Sequence, residues 1–267
     1  HPIYYHWWPM FTVLLGTGCR IGEALGLRWQ DLDYDKRTIS INHSLSYYQK
    51  PESNKSVLRI SKPKTEAGIR TIPMLDIVKD AFEMLYEEQL ENGFNESEID
   101  GMSGFIFCNR FGMVPNPQTV NHTIKRIANS YNADEVVRAK KERRDPIILP
   151  NFSCHHLRHT FCTRLCENET NLKVIQSIMG HRNIETTMDI YAEATEEKKQ
   201  ESKGAYAAEL SSSLSHSGLC DATHLLLCSD YSQPYLRLHE LVCLFQDDIV
   251  RRSFQFRRSL QVGKSAA

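Results

Sequence analysis

The chain has 267 residues, and its 32 lysines and arginines against 33 aspartates and glutamates give a formal net charge of −1. Hydrophobic residues make up 41% and charged residues 24%, a balance typical of globular proteins that excludes extensive disorder. The apolar runs are far shorter than the ~18 residues that a membrane-spanning helix requires, and no signal-peptide pattern opens the chain. We therefore expect one large domain, or one domain with an appendage, and no membrane partner. Because the sequence begins at His1 rather than at methionine, we expect it to be a fragment of a longer protein.

The first thirty residues contain two apolar segments separated by glycines. Residues 10–15 form an apolar run, and Ile21, Leu25 and Leu27 then recur at near-helical spacing. Apolar residues three to four positions apart share one face of a helix, whereas glycines interrupt helices. The pattern predicts two helices with a break near residues 16–18.

Short alternating segments come after a turn-rich stretch at residues 31–37. Polar and apolar residues alternate at 38–42, 57–61 and 70–73, which is typical of half-buried strands. The lysine-containing residues 62–68 lie between the second and the third of these segments. Together they predict a small three-stranded antiparallel sheet in which residues 62–68 form a hairpin loop.

Helical periodicity dominates the rest of the chain. Residues 75–90 predict an amphipathic helix with an acidic outer side. Serine often precedes the first residue of a helix, so Ser153 predicts the start of one helix. Glycine often follows the last residue of a helix, so Gly180 predicts the end of a later one. The fold class is therefore α+β and mostly α-helical, with one small sheet that carries a lysine hairpin. Further helices are predicted at 117–131, 153–167, 172–179 and 185–210, with a basic loop before residue 150.

The near-zero net charge conceals a segregated distribution of charges. Residues 50–70 include six basic and two acidic residues, and residues 138–144 include five basic residues and one acidic one. By contrast, residues 80–100 carry eight acidic side chains and no basic one. A patch of positive charge is the footprint of a polyanion site, although a solvated face of a helix or hairpin has the same composition.

Polar residues also interrupt segments that otherwise have the pattern of a core. Arg20 opens an apolar helix, and Glu23 lies three positions later on the same face. His155, Arg158 and His159 project from one side of their helix, where they are costly to bury without an anionic partner. A surface ion pair and hydrogen-bonded histidines would account for them equally well.

A further imidazole and a tyrosine follow in the next part of the chain. His181 comes directly after Gly180 on a tight turn, and Tyr191 follows ten residues later. Taken alone, Tyr191 is consistent with a simple packing residue.

The order of these residues resembles the tyrosine recombinase (phage integrase) family across roughly residues 10–205. The likeness is strongest to integrases of phages and conjugative transposons. It rests on four boxes, Thr17-Gly18-Cys19-Arg20-Ile21-Gly22-Glu23-Ala24, Lys62-Pro63-Lys64-Thr65 before Arg70-Thr71-Ile72-Pro73, His155-His156-Leu157-Arg158-His159-Thr160-Phe161, and Met179-Gly180-His181 before Tyr191.

The resemblance implies a site-specific DNA recombinase or integrase that cuts and rejoins DNA through a 3′-phosphotyrosyl intermediate, for integration or excision of a mobile element. It implies double-stranded DNA as the partner, self-assembly into a tetramer on that DNA, no cofactor and no metal. Its implied location is the bacterial cytoplasm, with the protein on the nucleoid when DNA is bound. The implied catalytic residues are Tyr191 as nucleophile, Arg20 and Arg158 as phosphate clamps, Lys64 as the acid for the leaving 5′ oxygen, and His155 and His181 as phosphate donors or carriers of the tyrosine proton.

Three residues near this set have open or secondary roles. Lys62 is the alternative to Lys64, because the sequence does not fix the register of the hairpin. A structural role is favoured for His159. Glu23 is expected to orient Arg20 or the neighbouring backbone rather than to meet DNA.

The resemblance also implies a division of the chain. Residues 1–210 would form the catalytic domain, and we expect the amino-terminal core-binding domain usual in the family to be missing from this sequence. Residues 211–267 form an atypical tail with a serine-rich start and a basic end. This tail is either a small appended helical segment or sequence foreign to the domain, such as an altered reading frame.

Three other interpretations remain open at this point. A type IB topoisomerase uses a similar set of residues to relax supercoiled DNA. A non-catalytic DNA-binding remnant of a mobile element would explain the missing front end and the tail. Cys162 and Cys166, with His155 and His159 nearby, could form a metal site, although small buried cysteines in a reducing cytosol explain the eight scattered cysteines better.

Overall fold

The computed structural model describes residues 4–49, 56–63, 66–109 and 111–194. The predicted tail at 211–267 and the end of the predicted helix at 185–210 lie outside the described residues. The described helices are α1 (Trp8–Thr17), α2 (Ile21–Gly26), α3 (Asp76–Asn92), α4 (Pro117–Glu142), α5 (Cys154–Asn168), α6 (Leu172–Met179) and α7 (184–194). The strands are β1 (Leu32–Asp33), β2 (Thr38–Ile41), β3 (Ser44–Gln49), β4 (Ser56–Ser61) and β5 (Arg70–Pro73).

The strands form two small antiparallel sheets. One has the order β1–β2–β5, with Ile39 paired with Ile72 and Ile41 with Arg70. The other consists of β3 and β4, with Ser44 opposite Ser61. The α+β class with a three-stranded antiparallel sheet is confirmed, but the assignment of residues 57–61 to that sheet is wrong. β4 and β5, which flank the lysine-containing segment, therefore lie in different sheets and do not pair as a hairpin.

Most predicted helices are confirmed. The break after α1 falls at Gly18, and α6 has the predicted bounds. Two corrections concern longer helices. α4 continues to Glu142, so much of the basic stretch predicted as a loop is helical. On α3, the sequence pattern predicts that Leu90 lies on the apolar face, but its exposed fraction is 65%. Gln89 is buried there instead and donates to the carbonyl of Ile106 at 2.6 Å.

The core lies where the first helix meets the others. α1 packs against α3 and α5, α2 packs against β3, and the end of α6 lies against β5. These contacts hold α2, α5 and α6 around one region of the molecule. The largest fully buried side chains are Phe82, Phe105, Leu14, Leu25, Leu27, Ile39, Ile41, Ile72, Ile106, Ile175 and Met179.

The described residues divide into two compact units, one of residues 4–130 with 151–194 and one of residues 131–150. In the smaller unit the buried Glu135 accepts hydrogen bonds from Arg138, from Arg144 and from the backbone N–H of Ile147. The hydrogen bonds with Arg144 and the other donors lower the pKa of Glu135 to about 2. No helix within the described ranges is both long and apolar enough to cross a membrane.

Candidate active site

The turn between α1 and α2 places Arg20 at the start of a helix. Gly18 ends α1 in the left-handed conformation, with φ of 61°. A Cβ atom at this position would lie 2.3 Å from Cδ1 of Phe161, so the turn needs glycine for its backbone angle and for its space. The Thr17 hydroxyl accepts from the backbone N–H of Cys19 at 3.2 Å. The two residues before Cys19 thus fix the chain direction that presents Arg20.

Glu23 holds Arg20 by two contacts. Its carboxylate accepts from the backbone N–H of Arg20 at 2.9 Å and from Nη1 of the same residue at 2.8 Å. Glu23 is buried, whereas 48% of the Arg20 side chain is exposed. The expected orienting role of Glu23 therefore has a direct geometric basis, and the Arg20 guanidinium stays open to solvent.

Arg158 is held differently, by the backbone. Its Nη1 donates to the carbonyl of Gly18 and its Nη2 to the carbonyl of Met179, each at 2.6 Å. The residue is only 5% exposed. Burial and the nearby Arg20 lower the pKa of Arg158 to about 10, so the guanidinium remains charged at neutral pH.

The last carbonyls of α6 accept hydrogen bonds from three arginines in succession. Ile178 accepts from Nε of Arg70 at 2.8 Å, the next residue accepts from Arg158, and Gly180 accepts from Nη2 of Arg20 at 3.3 Å. These carbonyls form the negative end of the helix dipole, which favours cations. The α6 end thus gathers three guanidinium groups from β5, α5 and the start of α2.

His181 follows this turn and is buried, with 8% of its surface exposed. Its Nδ1 is 3.0 Å from the hydroxyl of Thr187 on α7. Burial, reinforced by the positive charges of Arg158 and Arg20, lowers the pKa of His181 to about 4. The imidazole is therefore neutral near pH 7 and can exchange hydrogen bonds without carrying charge.

His155 and His159 lie one turn apart on α5 and contact each other. Their Nε2 atoms are 3.1 Å apart, and the ring planes are tilted by 80°. His155 keeps much of its surface exposed, but the partial burial of its ring and then the charge of Arg158 lower its pKa. The pKa of His159 is also lowered, by burial and by His155. His159 thus contacts the predicted catalytic histidine directly.

Tyr191 lies on α7 and is half-buried. It packs against a hydrophobic cluster that joins α5, α6 and α7, formed by Cys162, Cys166, Ile175, Met179, Ile190 and Ala194. This packing fixes the tyrosine on a helix that starts just after the His181 turn. The two cysteines belong to the core, and no group of three or more potential metal ligands occurs within the described ranges.

Of the six predicted residues, three converge closely on one point. Arg20, Arg158 and His181 meet at the end of α6, and His155 lies within the electrostatic influence of Arg158 and Arg20. Lys64 lies outside the described residues, while the alternative Lys62 is exposed just after β4.

Arg70 was not among the predicted site residues, yet it contacts this cluster. Its side chain is 4% exposed and forms a two-point ion pair with Glu23, at 2.9 and 3.2 Å. Burial by itself would raise the pKa of Glu23, but the hydrogen bonds and positive charges of Arg70 and Arg20 together outweigh it and lower that pKa. One signal was present in the sequence. Arg70 and Ile72 are two positions apart in a strand, so their side chains lie on the same, buried face. A buried arginine needs an anionic partner.

Comparison with known proteins identifies the family. The model of the phage integrase family matches residues 2–198. The chain belongs to the phage integrase family. The match covers every residue of the site described above.

Individual relatives agree with the family assignment. The transposase from transposon Tn916 of Enterococcus faecalis is 37% identical over 191 residues, which cover 68% of this chain and 41% of that protein. A tyrosine recombinase XerC-like protein of Caldanaerobacter subterraneus subsp. tengcongensis is 28% identical over 71% of this chain and 46% of its own length. The chain thus spans less than half the length of these curated relatives.

A solved structure shares the fold. The Tn1549 transposon integrase in complex with circular intermediate DNA has a TM-score of 0.60 and 30% identity, covering 75% of this chain and 61% of that chain. The same integrase in complex with transposon right end DNA has a TM-score of 0.59.

Proposed function

We propose that this chain carries the catalytic domain, over residues 1–210, of a site-specific DNA recombinase. It would cut and rejoin double-stranded DNA through a 3′-phosphotyrosyl intermediate and so integrate or excise a mobile element. The observation that carries the proposal is the convergence of Arg20, Arg158 and His181 at the end of α6, beside the helix that bears Tyr191. The complexes of the Tn1549 integrase with DNA support double-stranded DNA as the partner.

The proposed chemistry is a displacement at phosphorus. The Tyr191 oxygen attacks the scissile phosphate, a phosphorus–oxygen bond forms, and the bond from phosphorus to the 5′ oxygen breaks. Lys64 gives a proton to the departing 5′ oxygen, and the tyrosine proton passes to His155 or His181. The phosphotyrosyl bond keeps the energy of the broken phosphodiester, so that a 5′ hydroxyl can reverse the reaction.

The arginines would act on the two non-bridging oxygens. Negative charge grows there in the transition state, and guanidinium groups suit such oxygens because their N–H donors form a planar fork. Arg158 is already fixed by two carbonyls, so little reorganisation is needed when DNA arrives. The neutral His181 and His155 would complete the set as hydrogen-bond donors to the phosphate.

Assembly and location belong to the same proposal. Strand exchange needs four active sites on two duplexes, so we propose a tetramer on DNA, formed in the cytoplasm of a bacterium at the nucleoid. Family membership favours recombination over the topoisomerase interpretation. The remnant interpretation predicts DNA binding without chemistry, and it is therefore separable by experiment.

A suicide substrate tests the proposal. In nicked DNA the short strand that carries the released 5′ hydroxyl diffuses away, so a covalent adduct accumulates and is measured on a denaturing gel. We expect an adduct with the wild type, none with Tyr191→Phe, and an undiminished one with the control Tyr86→Phe on α3. Binding of DNA should remain nearly intact in Tyr191→Phe, because only the phenol oxygen is removed. An undiminished adduct in Tyr191→Phe would contradict the assignment and make Tyr206 the next tyrosine to test.

Two further outcomes separate the rival interpretations. Binding without an adduct in the wild type would identify a non-catalytic remnant. Relaxation of supercoiled DNA without strand exchange between two duplexes would identify a topoisomerase.

A further inference from the structure

We propose that Arg70 is a positioning residue of the cleavage reaction and that it acts through Arg20. This inference rests on the proposed function. Arg70 lies at the start of β5 with only 4% of its side chain exposed, and four of its five N–H donors already have partners inside the protein. Arg158, by contrast, uses only two of its donors on carbonyls, so Arg70 is the arginine that is not placed to contact DNA itself. Its influence on the reaction must therefore pass through the groups that it touches.

Arg70 uses nearly all of its hydrogen-bonding capacity inside the protein. Nη1 and Nη2 donate to the two carboxylate oxygens of Glu23 at 3.2 and 2.9 Å, and Nε donates to the carbonyl of Ile178 at 2.8 Å. Nη1 also lies 3.3 Å from the carbonyl of Gly68. Four of the five N–H donors of a guanidinium are thereby accounted for.

These partners are the supports of Arg20. Arg20 is anchored by Glu23, through two contacts, and by the carbonyl of Gly180. Arg70 pairs with Glu23 directly. It also lies against Gly180, where an added Cβ atom would be 2.9 Å from Nη1 of Arg70. The buried arginine thus pairs with one anchor of the exposed clamp and lies against the other.

The anchors of Arg158 are different. Its guanidinium donates to the carbonyls of Gly18 and Met179, neither of which accepts a hydrogen bond from Arg70. Loss of Arg70 should therefore disturb Arg20 much more than Arg158. This difference between the two clamps makes the proposal specific.

Lysine cannot replace Arg70 at this position. An ammonium group is a point charge, and it cannot bridge both oxygens of Glu23 and the carbonyl of Ile178 at once. The carboxylate of Glu23 would then keep only one guanidinium partner, Arg20, which is half exposed. We expect Arg70→Lys to fold, because the positive charge that compensates the buried Glu23 is kept, but to hold Arg20 loosely.

A double-mutant cycle on the full chain tests the inference. Single-turnover cleavage of the suicide substrate is measured for Arg70→Lys in three backgrounds: wild type, Arg20→Ala and Arg158→Ala. In the wild-type background we expect a loss of about tenfold or more, less than the 10²–10³ that removal of a direct donor typically costs. In Arg20→Ala the further loss should be less than about threefold, whereas in Arg158→Ala it should remain about tenfold.

Arg28→Lys is the matched control. Arg28 is also largely buried and pairs with an acidic residue three positions later, Asp31, but it does not contact Glu23 or the end of α6. A purely structural loss should have the same factor in all three backgrounds, and we expect this for Arg28→Lys. The same pattern in Arg70→Lys would overturn the inference.

Two provisions keep the outcome decisive. If Arg70→Lys fails to fold, Glu23→Gln takes its place, because glutamine keeps the shape of the glutamate side chain and weakens the same anchor of Arg20. Equal losses of cleavage in all three backgrounds would again overturn the inference. If the wild type itself forms no adduct, the proposed function fails rather than the positioning role. A wild type that cleaves and an Arg70→Lys variant that cleaves equally well would refute the positioning role alone.

Discussion

At the level of single residues, the two arginine clamps differ in what holds them. Arg158 is buried and donates to two backbone carbonyls, whereas 48% of the Arg20 side chain is exposed. Both would meet the same phosphate in the proposed reaction. Substitution of Arg158 would leave two buried backbone carbonyls without their donors, so it should lower stability more than substitution of Arg20, after which Glu23 would still be paired with Arg70.

Arg20→Ala and Arg158→Ala should each slow cleavage by about 10²–10³ while changing DNA affinity much less. The reason is that binding is spread over many phosphates, whereas charge grows at one phosphate in the transition state. Arg158→Ala should also lower the free energy of unfolding by about 1–3 kcal/mol, more than Arg20→Ala does, because two buried carbonyls lose their donors.

Single-turnover cleavage, equilibrium binding and denaturant unfolding measure these three effects separately. Equal losses of affinity and cleavage would mean that both arginines are ordinary backbone contacts. An Arg20→Ala variant as destabilised as Arg158→Ala would contradict the difference in their environments.

Lys64 can be tested by changing one atom of the DNA. A thiolate leaves phosphorus readily without a proton, whereas an alkoxide does not, so a 5′-bridging phosphorothiolate removes the need for a general acid. This substrate should restore cleavage by Lys64→Ala, and it should not restore cleavage by Arg158→Ala, whose missing charge acts on the non-bridging oxygens.

Lys62→Ala is the internal control, because its ammonium would contact DNA without reaching the leaving oxygen. Rescue of Lys62→Ala and not of Lys64→Ala would reverse the two assignments. Rescue of neither would place the acid outside residues 62–68.

The sequence predicted which residue types meet, but not how they are held. The order of Arg20, Arg158 and His181 was sufficient to predict a shared site, and the structure brings them together. Their partners are main-chain carbonyls of Gly18, Met179 and Gly180, and backbone groups leave no mark in a sequence. Arg70 was missed for a related reason, since an arginine near lysines suggested a surface cation until its pairing with Glu23 was visible.

At the level of elements, the end of α6 is where the site is assembled. Gly180 ends the helix with φ of 62°. The next residue, His181, is buried close enough to Arg158 and Arg20 for their positive charges to lower its pKa. A histidine whose pKa is lowered by folding binds fewer protons in the folded state than in the unfolded state. Stability should therefore fall as the pH decreases below the ordinary histidine value, ~6.5, towards about 4.

His181→Asn should reduce this pH dependence, because asparagine does not titrate. The full effect of His181 would be at most ~3 kcal/mol between pH 6.5 and pH 4, and part of the slope should remain because the pKa of His155 and that of His159 are also lowered. Denaturant unfolding at several pH values measures the slope, with the exposed His122→Asn as control. Equal slopes in the wild type and His181→Asn would show that His181 is protonated equally in both states.

Helices were predicted better than strands, for physical reasons. The 3.6-residue period of apolar residues and the capping residues predicted the first and last residues of α5 and α6 to within about one position. β3 was missed because Tyr47 and Tyr48 interrupt its alternation, and strand pairing depends on partners that are distant in the sequence. The extension of α4 was missed because Val136 and Val137 are exposed there, so helix propensity and not an apolar face continues the helix.

At the level of the whole molecule, the net charge of −1 says little about DNA, because the charges are segregated and some cations are already paired. In the basic segment 138–144 all five cations are exposed, but Arg138 and Arg144 both donate to Glu135, whereas Lys140, Lys141 and Arg143 form no ion pair with the described residues. An arginine neutralised by a carboxylate releases no counterion when DNA binds. The exposed lysines are thus the stronger candidates for phosphate contacts, although sequence composition gave all five cations the same weight.

The salt dependence of DNA binding distinguishes the two kinds of cation. Each phosphate that a lysine neutralises contributes about −0.9 to the slope of log K against log salt concentration. The double variant Lys140→Ala, Lys141→Ala should therefore lower affinity on any DNA sequence and reduce the slope by about two, without lowering the free energy of unfolding. Arg138→Ala should do the reverse: it weakens the hydrogen bonding of the buried Glu135, which lowers the free energy of unfolding, and it leaves the salt slope nearly unchanged.

Titrations of labelled DNA at several salt concentrations, paired with denaturant unfolding, measure the salt slope and the free energy of unfolding. A loss of slope in Arg138→Ala equal to that per lysine would mean that DNA displaces Glu135 from its arginine, and an unchanged slope in the lysine variant would place this segment away from the DNA.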